Sequence, residues 1–312
     1  MTALRVGTRA SALATAQAGQ IAARLGEHEL IGISSEGDRD QSTALEALGG
    51  SGVFVSNLRE ALLRGEVDVV VHSFKDLPTA PAPGIELAAV PKRADARDAF
   101  CSAGGVRLAD LAPGARVGTG SPRRRAQLLA ARPDLEVVSI RGNVDTRLGR
   151  LTADAEDRRL DGVVLAAAGL DRLGRSSVVT ELLDLSDWPT APAQGALAVE
   201  IRADASAAVR RRVTGIDHRP TRLAANAERG VLERLAAGCS APVAATALLE
   251  DGLLFLSATV YALDGSDSIT ASHAAYPEDS RDPAAELGER VAEELLALGA
   301  ADLVPGLAEG AS

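Results

Sequence analysis

Short apolar runs, each ending in a turn of small or charged residues and followed by a helical stretch, recur down the first two thirds of this 312-residue chain. Leu4-Arg5-Val6 reads as a strand, Gly7-Thr8-Arg9-Ala10-Ser11 as a turn and the Ala-rich stretch 12–25 as a helix. The β-branched run 67–71 reads as a buried strand that ends at His72-Ser73-Phe74-Lys75-Asp76-Leu77-Pro78. Strands alternating with helices bury their apolar residues when the helices cover both faces of a largely parallel sheet, so the pattern predicts an α/β fold.

The same grammar restarts after Pro91. Arg116-Val117 leads into Gly118-Thr119-Gly120-Ser121, and Pro122 opens a helix to about Ala131, with Ser121 placed to cap it. A strand is expected at 136–140, a helix capped by Asn143, and a third strand at 161–168. The apolar segment 197–201 is a candidate to return to the first unit, and from about 216 the sequence turns to a helix, two strand-like segments and a final helix. The expected domains are 1–91 with 196–214 (α/β), 97–190 (α/β, with a ligand cleft between the two) and 216–312 (a small α+β domain).

Several function classes are disfavoured. Acids outnumber Lys and Arg 43 to 33, for a formal charge of −10, and seven aromatics leave little for stacking bases, so nucleic acid and anionic membranes are poor partners. No apolar stretch has the length of a membrane span, and four scattered His and two Cys make no metal cluster or disulfide framework. A cytoplasmic protein is the expectation.

Against that negative background, 116–150 carries eight Arg and three acids. In open α/β sheets the ligand crevice lies at the carboxyl ends of the strands. Arg9 and Ser11, Ser73, Lys75 and Asp76, Thr119 to Arg125, Arg141 to Arg147, and Arg172 all fall at such ends. Singly, each Arg reads as a solvated surface residue; together they predict a rim for a polyanion. Arg123, Arg124 and Arg125 occupy a first helical turn, where cations oppose the helix dipole, which suggests a bound negative partner. Lys75, one of two Lys in the chain, sits beside Asp76; the pair is either a loop salt bridge or a site where a fixed carboxylate steadies positive charge. Cys239, between Gly238 and Pro242, is either an idle thiol or one exposed for alkylation. Cys101 reads as core.

These segments resemble the porphobilinogen deaminase (hydroxymethylbilane synthase) family. Val6-Gly7-Thr8-Arg9-Ala10-Ser11, His72-Ser73-Phe74-Lys75-Asp76, Gly118 to Arg124, Ile140-Arg141-Gly142-Asn143, Gly169-Leu170-Asp171-Arg172, Gln194-Gly195-Ala196 and Gly238-Cys239 occur in family order over nearly the whole chain. The resemblance implies two domains like those of periplasmic binding proteins plus a third. It implies a transferase of heme biosynthesis that joins four porphobilinogen molecules head to tail, releasing ammonia and hydroxymethylbilane. It further implies a dipyrromethane cofactor held through a thioether by Cys239 and no metal. Asp76 and Lys75 are then catalytic. Ser73, Lys75, Asp76, Thr119, Gly120, Ser121, Arg123, Arg124, Arg141 and Gly142 bind the cofactor; Arg9, Ser11, Gln17, Arg147, Arg172 and Gln194 bind substrate. Many members of the family carry lysines in the loop corresponding to 44–52, where this chain has none. The competing reading is a non-enzymatic two-lobed anion-binding protein.

Overall fold

The computed structural model describes residues 3–33, 51–238, 241–304 and 306–307. In chain order the elements begin β1 (Leu4–Arg9), α1 (Ala12–Leu25), β2 (His28–Ile33), α2 (Ser51–Leu63), β3 (Val69–Ser73) and β4 (Ile85–Ala89). Then come β5 (Asp98–Ser102), β6 (Arg116–Thr119), α3 (Pro122–Ala131), β7 (Glu136–Ser139), α4 (Val144–Leu148), β8 (Gly162–Ala166), α5 (Ala167–Arg172) and β9 (Glu181–Leu182). The chain continues through β10 (Leu197–Arg202), α6 (Ala207–Thr214), α7 (Arg219–Arg234), β11 (Val243–Glu250), β12 (Leu253–Tyr261), β13 (Ser268–Ala275), α8 (Pro283–Ala297) and α9 (Ala300–Leu303). Two compact units result: Met1–Ala94 with Ala196–Arg222, and Asp95–Gly195 with Leu223–Ser312.

Unit 1 is a five-stranded sheet in the order β2-β1-β3-β10-β4. β1 runs parallel to β2 and β3, and β10 runs antiparallel to β3 and β4. β3 is apolar at successive positions because both of its faces are covered. Val69 and Val71 join Val6, Ile21 and Val199 on the α1 side, while Val70 joins Leu58 and Leu62 of α2 on the other.

Unit 2 repeats the plan in the order β7-β6-β8-β5-β9, with β6 parallel to β7 and β8, and β5 antiparallel to β8 and β9. In both sheets the antiparallel strand, β10 or β5, is the first strand after the chain crosses from the other unit. The sheets are therefore mixed, and less parallel than the alternation alone predicts. Two local expectations also shift: β8 stops at Ala166 and the next residues coil into α5, and β13, weakly patterned in sequence, completes a second sheet.

That second sheet, antiparallel β11-β12-β13, belongs to unit 2 and covers one face with α7 and α8 through Val231, Leu235, Leu254, Leu256, Leu287, Val291 and Leu295. Its β12–β13 turn docks on α3. A Cβ at Gly265 (φ +75°) would lie 2.5 Å from the Ala126 carbonyl oxygen, and Gln127 Nε2 donates to the Tyr261 hydroxyl at 3.2 Å. Only glycine fits a left-handed turn that approaches a helix backbone so closely.

Candidate active site

In unit 1, β1 and β3 are adjacent and parallel, so Arg9 and Ser73 leave the sheet at the same edge. Ser11 caps α1, accepting from the Ala14 amide at 3.3 Å, and Gln17 on α1 is buried and donates to Ser73 Oγ at 2.8 Å. Gln17, expected to touch substrate, thus staples α1 to the end of β3. Phe74 to Asp76 form one 3₁₀ turn in which Phe74 and the following Leu77 point into the core, Lys75 is half-buried and Asp76 is exposed. The Phe74 amide donates to the Ala196 carbonyl at 3.1 Å. The turn is pinned from both sides and holds out a carboxylate. Asp76 makes no hydrogen bond or ion pair with any described residue, so no salt bridge ties it to Lys75.

Directly behind this turn lies a charged group that sequence reasoning missed. Glu200 on β10 accepts from Arg59 Nε at 3.0 Å and Nη2 at 2.6 Å, and lies 3.1 Å from His72 Nε2, the residue before Ser73. Burial pushes the Glu200 carboxyl up, but the close His72 ring and the Arg59 guanidinium outweigh it and hold the group below its ordinary value. The signal available in sequence was a lone acid in an otherwise apolar strand, Leu197-Ala198-Val199-Glu200-Ile201.

In unit 2 the turn after β6 carries Thr119, whose Oγ1 accepts from the Ser121 amide at 3.2 Å, and Ser121, which caps α3. A Cβ on Gly120 would sit 2.6 Å from the Ile140 carbonyl oxygen, so the chain leaving β7 passes hard against this turn. Arg123 and Arg124 do not line a rim. They are 2% and 6% exposed, and their negative partner is inside the chain: Asp98, fully buried. Asp98 accepts from Arg124 Nη2 at 2.7 Å and Nε at 3.1 Å, from Arg123 Nη2 at 2.8 Å and from Trp188 Nε1 at 3.1 Å. Burial would raise its carboxyl; the two guanidiniums, with hydrogen bonds from Arg124 and Gln194, hold it well below the carboxylate range. The third cation, Arg125, is exposed and donates to the Val137 carbonyl at 2.7 Å.

The inference that three cations at a helix start need an external anion is therefore corrected, because Asp98 answers two of them. Gln194, expected to bind substrate, is fully buried and donates to Asp98 at 2.7 Å and to the Ala96 carbonyl at 2.8 Å.

Two other arginines of this unit are built differently. Arg147 is half-buried, and its hydrogen bond, from Nε to the Gly142 carbonyl at 2.9 Å, uses no carboxylate. Burial and the neighbouring Arg124 cation both press its guanidinium below the ordinary value. Its Nη2 lies 3.8 Å from the point a Gly120 Cβ would occupy, so it stands at the turn that opens α3. Arg172 donates through Nη2 to the Gly195 carbonyl at 2.8 Å, while its Nε is buried with no hydrogen-bond partner among the described residues. Burial lowers its guanidinium too, against a smaller opposing effect of Asp171. Arg141 and Gly142 are exposed beside them, and Asn143 caps α4, accepting from the Thr146 amide at 2.8 Å. Arg147 and Arg172, with no carboxylate bonded to them among the described residues, are suited to carboxylates from outside.

Cys101 lies fully buried in β5, where burial pushes its thiol up to about 11, far from a thiolate at neutral pH. Cys239 and the stretch 44–50 lie outside the described residues. No helix among the described residues is long and apolar enough to cross a membrane, and no described cluster of His, Cys, Asp or Glu could hold a metal.

Comparison with known proteins fits this layout. Residues 4–210 match the family model described as porphobilinogen deaminase, dipyromethane cofactor binding domain, and residues 222–297 match the porphobilinogen deaminase C-terminal domain. The chain is similar to porphobilinogen deaminase of Leifsonia xyli subsp. xyli (54% identity, covering 97% of this chain and 94% of the relative). It is also similar to that of Thermobifida fusca (49%, covering 99% and 98%). Among solved structures, the methionine binding protein MetQ overlaps with a TM-score of 0.40 at 14% identity, covering 68% of this chain and 89% of that one.

Proposed function

The chain belongs to the porphobilinogen deaminase family, and on that premise we propose how its own residues share the condensation of four porphobilinogen molecules into hydroxymethylbilane. Membership favours this enzymatic reading over a two-lobed anion-binding protein. The residues present fit a dipyrromethane cofactor. Its acetate and propionate groups call for cations, and Arg147 and Arg172 are half-buried cations without an internal carboxylate among the described residues. When bound, that group supplies the pyrrole end to which the first porphobilinogen is joined.

Unit 2 acts as the anion receiver. Arg147 and Arg172, with Arg141 at the rim and the Gly120-Ser121 turn, hold carboxylates of the growing chain, while Thr119 and Gly142 shape the backbone around them. Arg123 and Arg124 support this set from beneath through Asp98. Unit 1 acts on the reacting centre. Release of ammonia leaves positive charge spread over the pyrrole, and Asp76 offers a fixed carboxylate to stabilise it. Lys75 and Arg9 hold acid groups of porphobilinogen, Ser73 and Ser11 offer hydroxyls, and Gln17 keeps Ser73 in place. Cys239 anchors the cofactor by a thioether, which makes each addition an event at the end of a tethered chain. The three-domain division 1–91 with 196–214, 97–190 and 216–312, a monomeric state, a cytoplasmic site of action, and the absence of nucleic-acid or membrane partners complete the reading. The net charge of −10 supports the last of these.

The observation that carries the reading is Asp76, exposed on a turn anchored by two buried neighbours and unpaired with any described residue. Asp76→Asn should keep the fold and lose at least roughly 10²-fold in single-turnover ammonia release from primer-loaded enzyme, the scale of one preorganised charge. Near-normal release would remove Asp76 from the chemistry. Cys239→Ser should lack the mass of two pyrrole units, whereas Cys101→Ser should keep it; an adduct on Cys239→Ser would overturn the attachment.

A further inference from the structure

Asp98 accepts five hydrogen bonds from side chains of unit 2 and faces no solvent. It opens β5, just after the chain enters the unit, and is fully buried. Five N–H groups from four residues reach its two oxygens: Arg124 Nη2 and Nε, Arg123 Nη2, Gln194 Nε2 and Trp188 Nε1, all at 2.7–3.1 Å. A carboxylate offers about four lone-pair sites, so Asp98 has nothing left for a ligand. What it can do is fix the groups that hold it.

Two lines lead outward from it. Along the first, Gln194 donates to Asp98 and accepts from Arg124 Nη2 at 3.3 Å, which pins the backbone around it. That backbone is unusual. Ala193 is left-handed at φ +61° with its amide donating to Glu228 at 2.6 Å, and Gly195 is at φ +85°. A left-handed alanine persists only where its surroundings over-determine it. The product of this constraint is the Gly195 carbonyl, which accepts from Arg172 Nη2 at 2.8 Å, while Arg172 Nε is buried with no hydrogen-bond partner among the described residues. Along the second line, Asp98 fixes Arg124, whose charge is felt by Arg147.

We propose that Asp98 is a positioning residue for carboxylate recognition: touching no ligand itself, it fixes Arg124 and, through Gln194 and the Gly195 carbonyl, the orientation of Arg172. The role rests on the reading that Arg147 and Arg172 receive carboxylates. It differs from a purely structural one because it acts on affinity for the acid groups and leaves the chemistry at Asp76 alone.

Trp188, the one tryptophan of the chain, donates to Asp98 and so reports on it. Asp98→Glu keeps the charge and moves it by one methylene; Asp98→Asn removes the charge, and if it fails to fold the Glu variant decides. The primer-loaded enzyme and its Asp98→Glu, Asp98→Asn and Arg172→Met variants are compared by kcat and KM for porphobilinogen, and by the porphobilinogen concentration at the midpoint of the Trp188 emission change. Asp98→Glu is expected to raise both KM and that midpoint by about tenfold, with kcat within about threefold of the parent. Arg172→Met should raise KM as well. If Arg172→Met raises KM while a folded Asp98→Glu leaves KM and midpoint unchanged, Asp98 is structural and the proposal falls. If Arg172→Met leaves KM unchanged, the carboxylate reading of the arginines fails, and the role built on it fails with it.

Discussion

Replacing Arg124 and Arg147 in turn by Met separates a cation that holds the fold from one held in reserve. Both substitutions remove a positive charge and keep a flexible apolar stem. Arg124 spans the two oxygens of Asp98 at 2.7 and 3.1 Å, and donates through Nη1 to the Val164 carbonyl at 3.1 Å, all out of water. Its loss leaves a fully buried carboxylate with one guanidinium instead of two and strands a buried carbonyl. Breaking a buried pair in this way costs about 3–5 kcal/mol, a large part of the roughly 5–15 kcal/mol that keeps a domain folded. Arg147 has no carboxylate to strand among the described residues, and removing it relieves the repulsion from Arg124. Stability should hold or rise. Binding should not: loss of a charge-assisted contact costs about 1.5–3 kcal/mol, or roughly 10–150-fold in affinity. Urea unfolding followed by Trp188 emission measures the first quantity, and KM for porphobilinogen the second. An Arg147→Met variant as unstable as Arg124→Met, or an Arg124→Met variant with the parent's urea midpoint, would refute the division.

Glu200 has a depressed carboxyl in the folded state, so its contribution is present above its ordinary value of 4.5 and is lost as pH falls through the lower, folded value. Glu200→Gln should flatten the acid side of the stability-against-pH curve while costing about 3–5 kcal/mol at neutral pH; an unchanged acid slope in urea titrations would show that another group governs it. Gly265→Ala should cost about 1–3 kcal/mol more than Gly252→Ala. Both positions are left-handed (φ +75° and +81°), but only at Gly265 does a Cβ meet a helix backbone, at 2.5 Å. Equal losses in paired thermal melts would mean that the β12–β13 turn does not bear on α3.

Much of the site was legible before any coordinates, because its parts obey local rules. Ser121 before Pro122, and Asn143 three residues before Thr146, are capping chemistry that depends on a few adjacent residues, and both caps form. The run Val69-Val70-Val71 marked the strand that leads to the Asp76 turn, since apolar residues at successive positions require cover on both faces. Strand ends followed by turns placed Arg9, Lys75, Thr119 and Arg141 at the edges of their sheets.

What local rules could not give was the partner of each charge. Arg123, Arg124, Arg147 and Arg172 are the same residue type in similar strand-end settings, and sequence treats them alike. Their roles are set by what lies across space. Asp98, about 25 residues before the first pair, turns Arg123 and Arg124 inward, while the chain sets no carboxylate against Arg147 among the described residues. The same holds for Glu200, which reaches His72 and Arg59 over 128 and 141 residues of chain only because β10 inserts antiparallel beside β3. A charge's hydration, and so its role, depends on burial and on its nearest counter-charge. Local rules put these arginines at strand ends; the crossing of β5 and β10 into the opposite sheets decided which charges find a partner inside the chain.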